Sequence, residues 1–453
     1  MPGAASSPTI ARLAAGLLWA LALWNVVAYR GLFWDGASML SMIIDGGWFE
    51  WRFYPARAHV MWLTQAPVVA AVALGVQDTS ILALCYSASL FALPTAIYHL
   101  ALWRVRHEPA ALALVLMVIA GVFLPTWFFI LSEFQVAAAI AVAGMAIVAT
   151  QPRLTATDGA ILAGFGFVAV RSYEIMVYLG PLLGGAIAWR VTTSPGMSRN
   201  ARLLGWLAAI LFIGASAVSA SAIAEYWRHP HFQSYRGGIL QFWENLQFVL
   251  ALATVLPMVV VLLVRPEQLK RWPVYALGAL PMLVLALSGE LHRLVPTAVI
   301  FAPSHYVARA GAGLLLLVLL TGWFLHVALP GLMPRIASTV ADGAAGRRIT
   351  VGAFGFMLAA MVPDMALTSR WSEYRRTVQE VVQSRTGRVL VADTVIAEAR
   401  FQPFFQDWTY PALSLMLRRT PGDAVLFVPR SNHPWKLNPE IWLPTLEGYA
   451  WRR

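Results

Sequence analysis

Asp35 follows an apolar run that begins near Leu13, and it sits in a polar, aromatic stretch from Gly31 to His59. Three acids (Asp35, Asp45, Glu50), two arginines (Arg52, Arg57), His59 and four Trp or Tyr share that stretch, more than an inter-helix turn needs. Asp before Gly36 and Ala37 suits a helix N-cap, a stabilising role of about 1 kcal/mol. The same carboxylate at a water–lipid boundary suits a general base, its basicity raised by partial desolvation. Asp45 precedes Gly46–Gly47 and reads as a turn residue. Arg57 and His59 open the next apolar run, where basic side chains either snorkel to the interface or bind phosphate.

Glu133 interrupts two apolar runs, and an acid there is expensive unless it meets water, a partner or a substrate. Arg171 and Glu174 interrupt another pair. Three apart on a helix they would neutralise each other; as a second charged turn they point with Glu133 to a shared polar cavity. In Pro303-Ser-His-Tyr-Val-Ala-Arg309, His305 and Arg309 share one helical face beside Tyr306, and a cation pair at that depth wants an anion such as a lipid phosphate. His229 and His231 lack a clear third ligand, so no metal site is expected. There is no Walker A, Gly-x-Ser-x-Gly, His-Glu-x-x-His or dinucleotide fingerprint.

The elements that must position these groups are apolar helices. Of 453 residues, 59% are hydrophobic and 12% charged, against about 25% charged in soluble domains. Apolar segments cover Leu13–Leu32, Ala58–Val76, Ile81–Trp103, Ala110–Leu131, Val136–Thr150, Gly159–Val170 and Ile175–Trp189. Further ones cover Leu203–Ile223, Leu240–Val264, Val274–Ser288, Gly311–Leu329 and Thr350–Leu367. The expected fold class is an all-α polytopic membrane protein with roughly 9–12 transmembrane or re-entrant helices. Nothing like a cleavage site follows the first run, which reads as a retained helix. Cys85 is the single cysteine, which excludes an internal disulfide.

The net charge of +11 comes almost wholly from arginine, since Lys270 and Lys436 are the only lysines. The bases lie in short loops, which suits anchoring on lipid phosphates and not nucleic acid. Arg190, Arg199 and Arg202, then Arg265, Lys270 and Arg271, then Arg335, Arg347 and Arg348 are each two spans apart and belong on one side, the cytoplasmic one. Residues after Arg370 then face outward. If Glu133 and Glu174 both sit at outward turns, Ala58–Trp103 must cross an odd number of times although it reads as two spans. A re-entrant or surface helix there resolves the conflict; a single long span over Gly159–Trp189 is the alternative. Two domains are expected: residues 1–370, with a first outward loop over 33–57, and a small α/β cap over 371–453. In the cap, strand-like Arg388–Asp393 and Ala424–Val428 flank a helix at Pro411–Arg419.

Trp34–Asp35–Gly36 after the first span, the long loop to Tyr54–Pro55, Ser132–Glu133 after Trp127, the late His305–Arg309 loop and the terminal outward segment together resemble the GT-C superfamily of membrane glycosyltransferases. The resemblance implies an inverting transferase in the bacterial inner membrane. It would move a sugar from a polyprenyl-phosphate donor to a glycan, lipid or protein acceptor on the outer, periplasmic face. Asp35 matches the first-loop catalytic aspartate, Glu133 the second-loop acid and Arg309 a contact to the leaving phosphate. The first loop lacks the paired Asp–Glu of protein O-mannosyltransferases, and the tail lacks the Trp-Trp-Asp-Tyr-Gly of oligosaccharyltransferases. With no Asp-x-Asp pair, no cofactor or obligatory metal is expected. Envelope and pilin arabinosyltransferases are nearest in style. The rivals are a lipid-linked glycan flippase or transporter, which usually shows paired halves, an O-antigen polymerase or ligase, and a non-catalytic envelope subunit.

Overall fold

The computed structural model describes residues 6–51, 55–127, 133–226, 246–294, 305–332, 334–405, 407–429 and 446–453. They form an all-α membrane protein in which seven helices are long and apolar enough to cross a bilayer. In chain order these and the shorter helices are α1 (Ser7–Val27), α2 (Asp35–Gly46), α3 (Ala58–Ala73), α4 (Thr79–Val105), α5 (Pro109–Thr126) and α6 (Glu133–Thr150). Next come α7 (Ala156–Val170), α8 (Met176–Thr193), α9 (Arg199–Tyr226), α10 (Leu246–Val264), α11 (Ala276–Leu294) and α12 (His305–Ala328). A short α13 (Pro334–Ala341) leads into α14 (Gly343–Ser384).

Contacts between chain-distant residues sort the helix ends into two faces. On one face Arg104 pairs with Asp158, Arg190 Nε donates to the Val148 carbonyl, Lys270 pairs with Asp342, and Thr350 Oγ1 donates to the Pro109 carbonyl. The clustered bases therefore share a side, as the charge pattern predicts. The opposite face carries the segment after α14.

The odd crossing is resolved by α3. Its start meets the α7–α8 turn, where His59 N–H donates to the Arg171 carbonyl and Arg57 pairs with Glu174. Just past its end, Gln77 and Asp78 pair with Ala450 of the chain's tail. Both ends lie on the cap side. Sixteen residues reach only about 24 Å, short of the roughly 30 Å core. With both ends on one side, α3 is the partial, re-entrant or surface helix that the parity requires, and α7 and α8 are separate helices.

α1 and α4 run antiparallel: Ser87 Oγ accepts from Gly31 N–H, and Trp19 Nε1 donates to His99 Nδ1. A Cβ at Gly31 would stand 2.6 Å from Ser87 Oγ and 2.9 Å from its Cα. Gly31→Ala is therefore expected to force the helices apart at a cost of about 1–3 kcal/mol, read as a lower thermal midpoint of the purified protein.

The cap stands on α14 itself. That helix runs unbroken for 42 residues, so the boundary expected at 370 falls inside it. Strands β1 (Arg388–Leu390) and β2 (Val425–Phe427) pair in parallel around α15 (Tyr410–Leu417). The small α/β character expected of this segment is present.

At the other end of α14, Asp342 caps the helix, accepting from the amides of Ala344 and Ala345, and pairs with Lys270 at 2.8 Å. The Lys270 bond, then the two amides, hold its carboxyl down to about 2. A depressed acid contributes fully above its unfolded value and loses that contribution as pH falls through the folded one. Protection of the Ala344 and Ala345 amides, measured against the intrinsic exchange rate at each pH, is expected to fall between about pH 4 and pH 2, with the step absent in Asp342→Asn.

Candidate active site

The short link between α1 and α2 leads into Asp35, the first residue of α2, and a buried polar bracket holds that link. Arg30, fully buried, donates through Nη1 to Asp364 Oδ1 (3.0 Å), Asp364 Oδ2 (3.2 Å) and Thr368 Oγ1 (3.2 Å) of α14. Asn25 Nδ2 donates to the same carboxylate, and Thr368 Oγ1 donates to Asn25 Oδ1. Phe91 of α4 lies under the guanidinium at 5.0 Å. Trp371 Nε1 donates to the Ala28 carbonyl, and Phe33 packs edge-on against Trp371 and Phe404.

Two non-glycine residues with positive φ flank this bracket, Tyr29 at 57° and Trp34 at 49°. Such conformations cost about 1–3 kcal/mol each and persist only where the surroundings impose them. Trp34, with ψ of −125°, takes the cap position of α2, and Asp35 becomes its first residue. An acid in the first turn is favoured by the helix dipole. Asp35 is exposed, and Trp408 Nε1 of the cap donates to its Oδ1 at 3.2 Å.

Glu133, half-buried at the start of α6, lies within electrostatic reach of Asp35, Arg57 and Arg309. The same two acids reach Tyr86 of α4. Arg57 Nη2 donates to Glu174 Oε1 at 2.7 Å and Nε donates to the same oxygen at 3.2 Å. Tyr173 joins the two cations. Arg57 sits over its ring at 4.6 Å, Arg309 over the ring at 5.7 Å, and Arg309 Nη1 donates to its hydroxyl at 2.9 Å. Burial pushes the Tyr173 phenol up, opposed in part by Arg309, so it stays protonated and serves as a neutral platform. Phe134 supports that ring edge-on, and Ser219 Oγ donates to the Tyr173 carbonyl.

Asp35, Glu133, Arg57, Glu174 and Arg309 therefore gather from five separate segments. The Arg171–Glu174 neutralisation does not form. Arg171 leaves helical geometry at φ −131°, ψ 64°, its side chain is exposed, and Glu174 turns to Arg57. His59 lies apart from the cluster: Nδ1 is 2.6 Å from the Phe167 carbonyl and the imidazole stacks on the Phe167 ring at 4.4 Å, a strut between α3 and α7. Asp45 is exposed near the end of α2. His305 and Tyr306 open α12, but their side chains fall outside the described residues, as do His229 and His231.

Tyr173, Trp408 and Asp364 were not singled out by the sequence. Asp364 carried a signal, as the single acid inside the last apolar run. Trp408 carried none, being one aromatic among many in a segment far along the chain.

Chemically, a water-facing carboxylate beside a half-buried second acid, with two guanidiniums on an aromatic mount, can take a proton and hold a phosphate within one site. No known family model, curated protein or solved structure matches the chain.

Proposed function

We propose that this protein is an inverting GT-C-type glycosyltransferase that moves a sugar from a polyprenyl-phosphate donor to an envelope glycan, lipid or protein acceptor. The observation that carries the reading is the convergence of Asp35 and Glu133 with Arg57 and Arg309 on the cap side. Asp35 accepts the proton of the acceptor hydroxyl as its oxygen bonds to the anomeric carbon. The bond from that carbon to the phosphate oxygen breaks with the electron pair leaving on phosphate, through an oxocarbenium-like transition state. Arg309 and Arg57 stabilise the departing charge, and Glu133 keeps the guanidiniums aimed at the site. The apolar helices hold the polyprenyl chain, and the cap seats the acceptor. With the bases on the cytoplasmic face, the site and the cap face the periplasm of a bacterial inner membrane.

The test is purified full-length protein in lipid nanodiscs given a panel of polyprenyl-phosphate sugars. Release of free polyprenyl phosphate coupled to a new glycosidic bond is the expected result. Movement of labelled lipid across vesicles with no bond formed would assign the chain to the flippases instead.

A further inference from the structure

On the face opposite the cap, the α4–α5 turn and the end of α6 border a half-open surface cavity of about 250 Å³, lined by Trp103, Arg106, His107, Glu108, Thr150 and Gln151 together with Arg104. None of these residues belongs to the site described above. Arg104 is already committed to buried Asp158. Arg106 is held ready: its guanidinium lies over the Trp103 ring at 4.4 Å and its Nη1 donates to the Trp103 carbonyl. His107 adds a second nitrogen donor to the same wall, and Gln151 an amide. Glu108 brings the opposite charge. It occupies the cap position of α5 without a side-chain cap bond, and among the described residues its carboxylate has no ion-pair partner. The Glu108 side chain is exposed at the cavity mouth, and the partial burial it does have pushes its carboxyl up.

We propose that this cavity binds the headgroup of a membrane phospholipid that carries both a phosphate and a primary ammonium. The phosphate lies on Arg106 and His107, and the ammonium on Glu108. A planar guanidinium fixed by stacking suits a phosphodiester, whereas a purely basic patch would take any anion. The single carboxylate within reach is what favours a zwitterion over an anionic lipid. A lipid, and not a soluble phosphate ester, is the source because Trp103 is 49% exposed at the end of a span, the level at which indoles meet headgroups. Its ring then lies beside the glycerol end of the lipid.

The test is native mass spectrometry of the full-length protein after delipidation and titration with phosphatidylethanolamine, phosphatidylglycerol or soluble phosphoethanolamine. Phosphatidylethanolamine is expected to be retained over phosphatidylglycerol, and soluble phosphoethanolamine not at all. The double variant Arg106→Gln, His107→Gln is expected to lose retention of both lipids by about tenfold or more. Glu108→Gln is expected to weaken phosphatidylethanolamine alone and abolish the preference. Equal retention by wild type and the double variant would overturn the site. An unchanged lipid ratio in Glu108→Gln would overturn the zwitterion assignment, and soluble phosphoethanolamine binding as tightly as the lipid would overturn the membrane source. None of these readouts depends on glycosyl transfer, so the inference stands or falls apart from the proposed activity.

Discussion

Asp35→Asn is expected to slow glycosyl transfer by about 10²–10⁴-fold, the usual contribution of a positioned general base. The substitution keeps size and shape, and an amide oxygen still accepts from Trp408 Nε1, so the link between α1 and α2 should hold its course. What is lost is the capacity to take a proton as the acceptor oxygen attacks. Donor affinity should change little, because the guanidiniums of Arg57 and Arg309 carry the phosphate contact in this reading. The measurement is single-turnover transfer together with donor binding and the thermal midpoint. A slow chemical step with intact binding and folding is the expected pattern. Undiminished transfer by normally folded Asp35→Asn would remove Asp35 as the base.

The second large effect concerns the bracket behind Asp35. Arg30 and Asp364 are both buried, at 0% and 2% side-chain exposure. Removing one partner leaves the other charged and out of water, which typically costs about 3–5 kcal/mol. Arg30→Met and Asp364→Leu are each expected to lower the thermal midpoint sharply. The double variant should recover most of the loss, since two apolar side chains need no partner. Activity should not recover with it. The bracket joins residues 334 apart in sequence and, with Trp371 on Ala28, holds the backbone that enters the strained Trp34. A stable but slow double variant would show that the charge pair serves the placement of Asp35. Full activity in that variant would reduce the bracket to a packing feature.

Much of the architecture was legible because a bilayer leaves few choices. Long apolar runs become helices, and bases in loops gather on one face. The parity of charged turns pointed to a partial, re-entrant or surface helix within Ala58–Trp103 or to one long span over Gly159–Trp189, and the contacts at both ends of α3 favour the first. The strand-like and helical runs in the cap also appear where hydrophobic patterning puts them. Glu133 and Asp35 stood out because charge next to an apolar run needs a reason.

Partner choice was not legible. Glu174 has Arg171 three residues away, yet pairs with Arg57, because the backbone between α7 and α8 breaks helical geometry at Arg171. His59 had the right chemistry for a phosphate site and the wrong direction, drawn to the Phe167 carbonyl across a helix contact. Tyr173 as a mount for two guanidiniums, and Trp408 reaching Asp35 from the cap, depend on packing between segments that local periodicity does not describe. By itself the sequence determined that this chain threads a membrane and which charges had to be accounted for. Only the tertiary structure decided which of those charges meet, because ion pairing depends on distance in space and the chain brings together residues hundreds of positions apart.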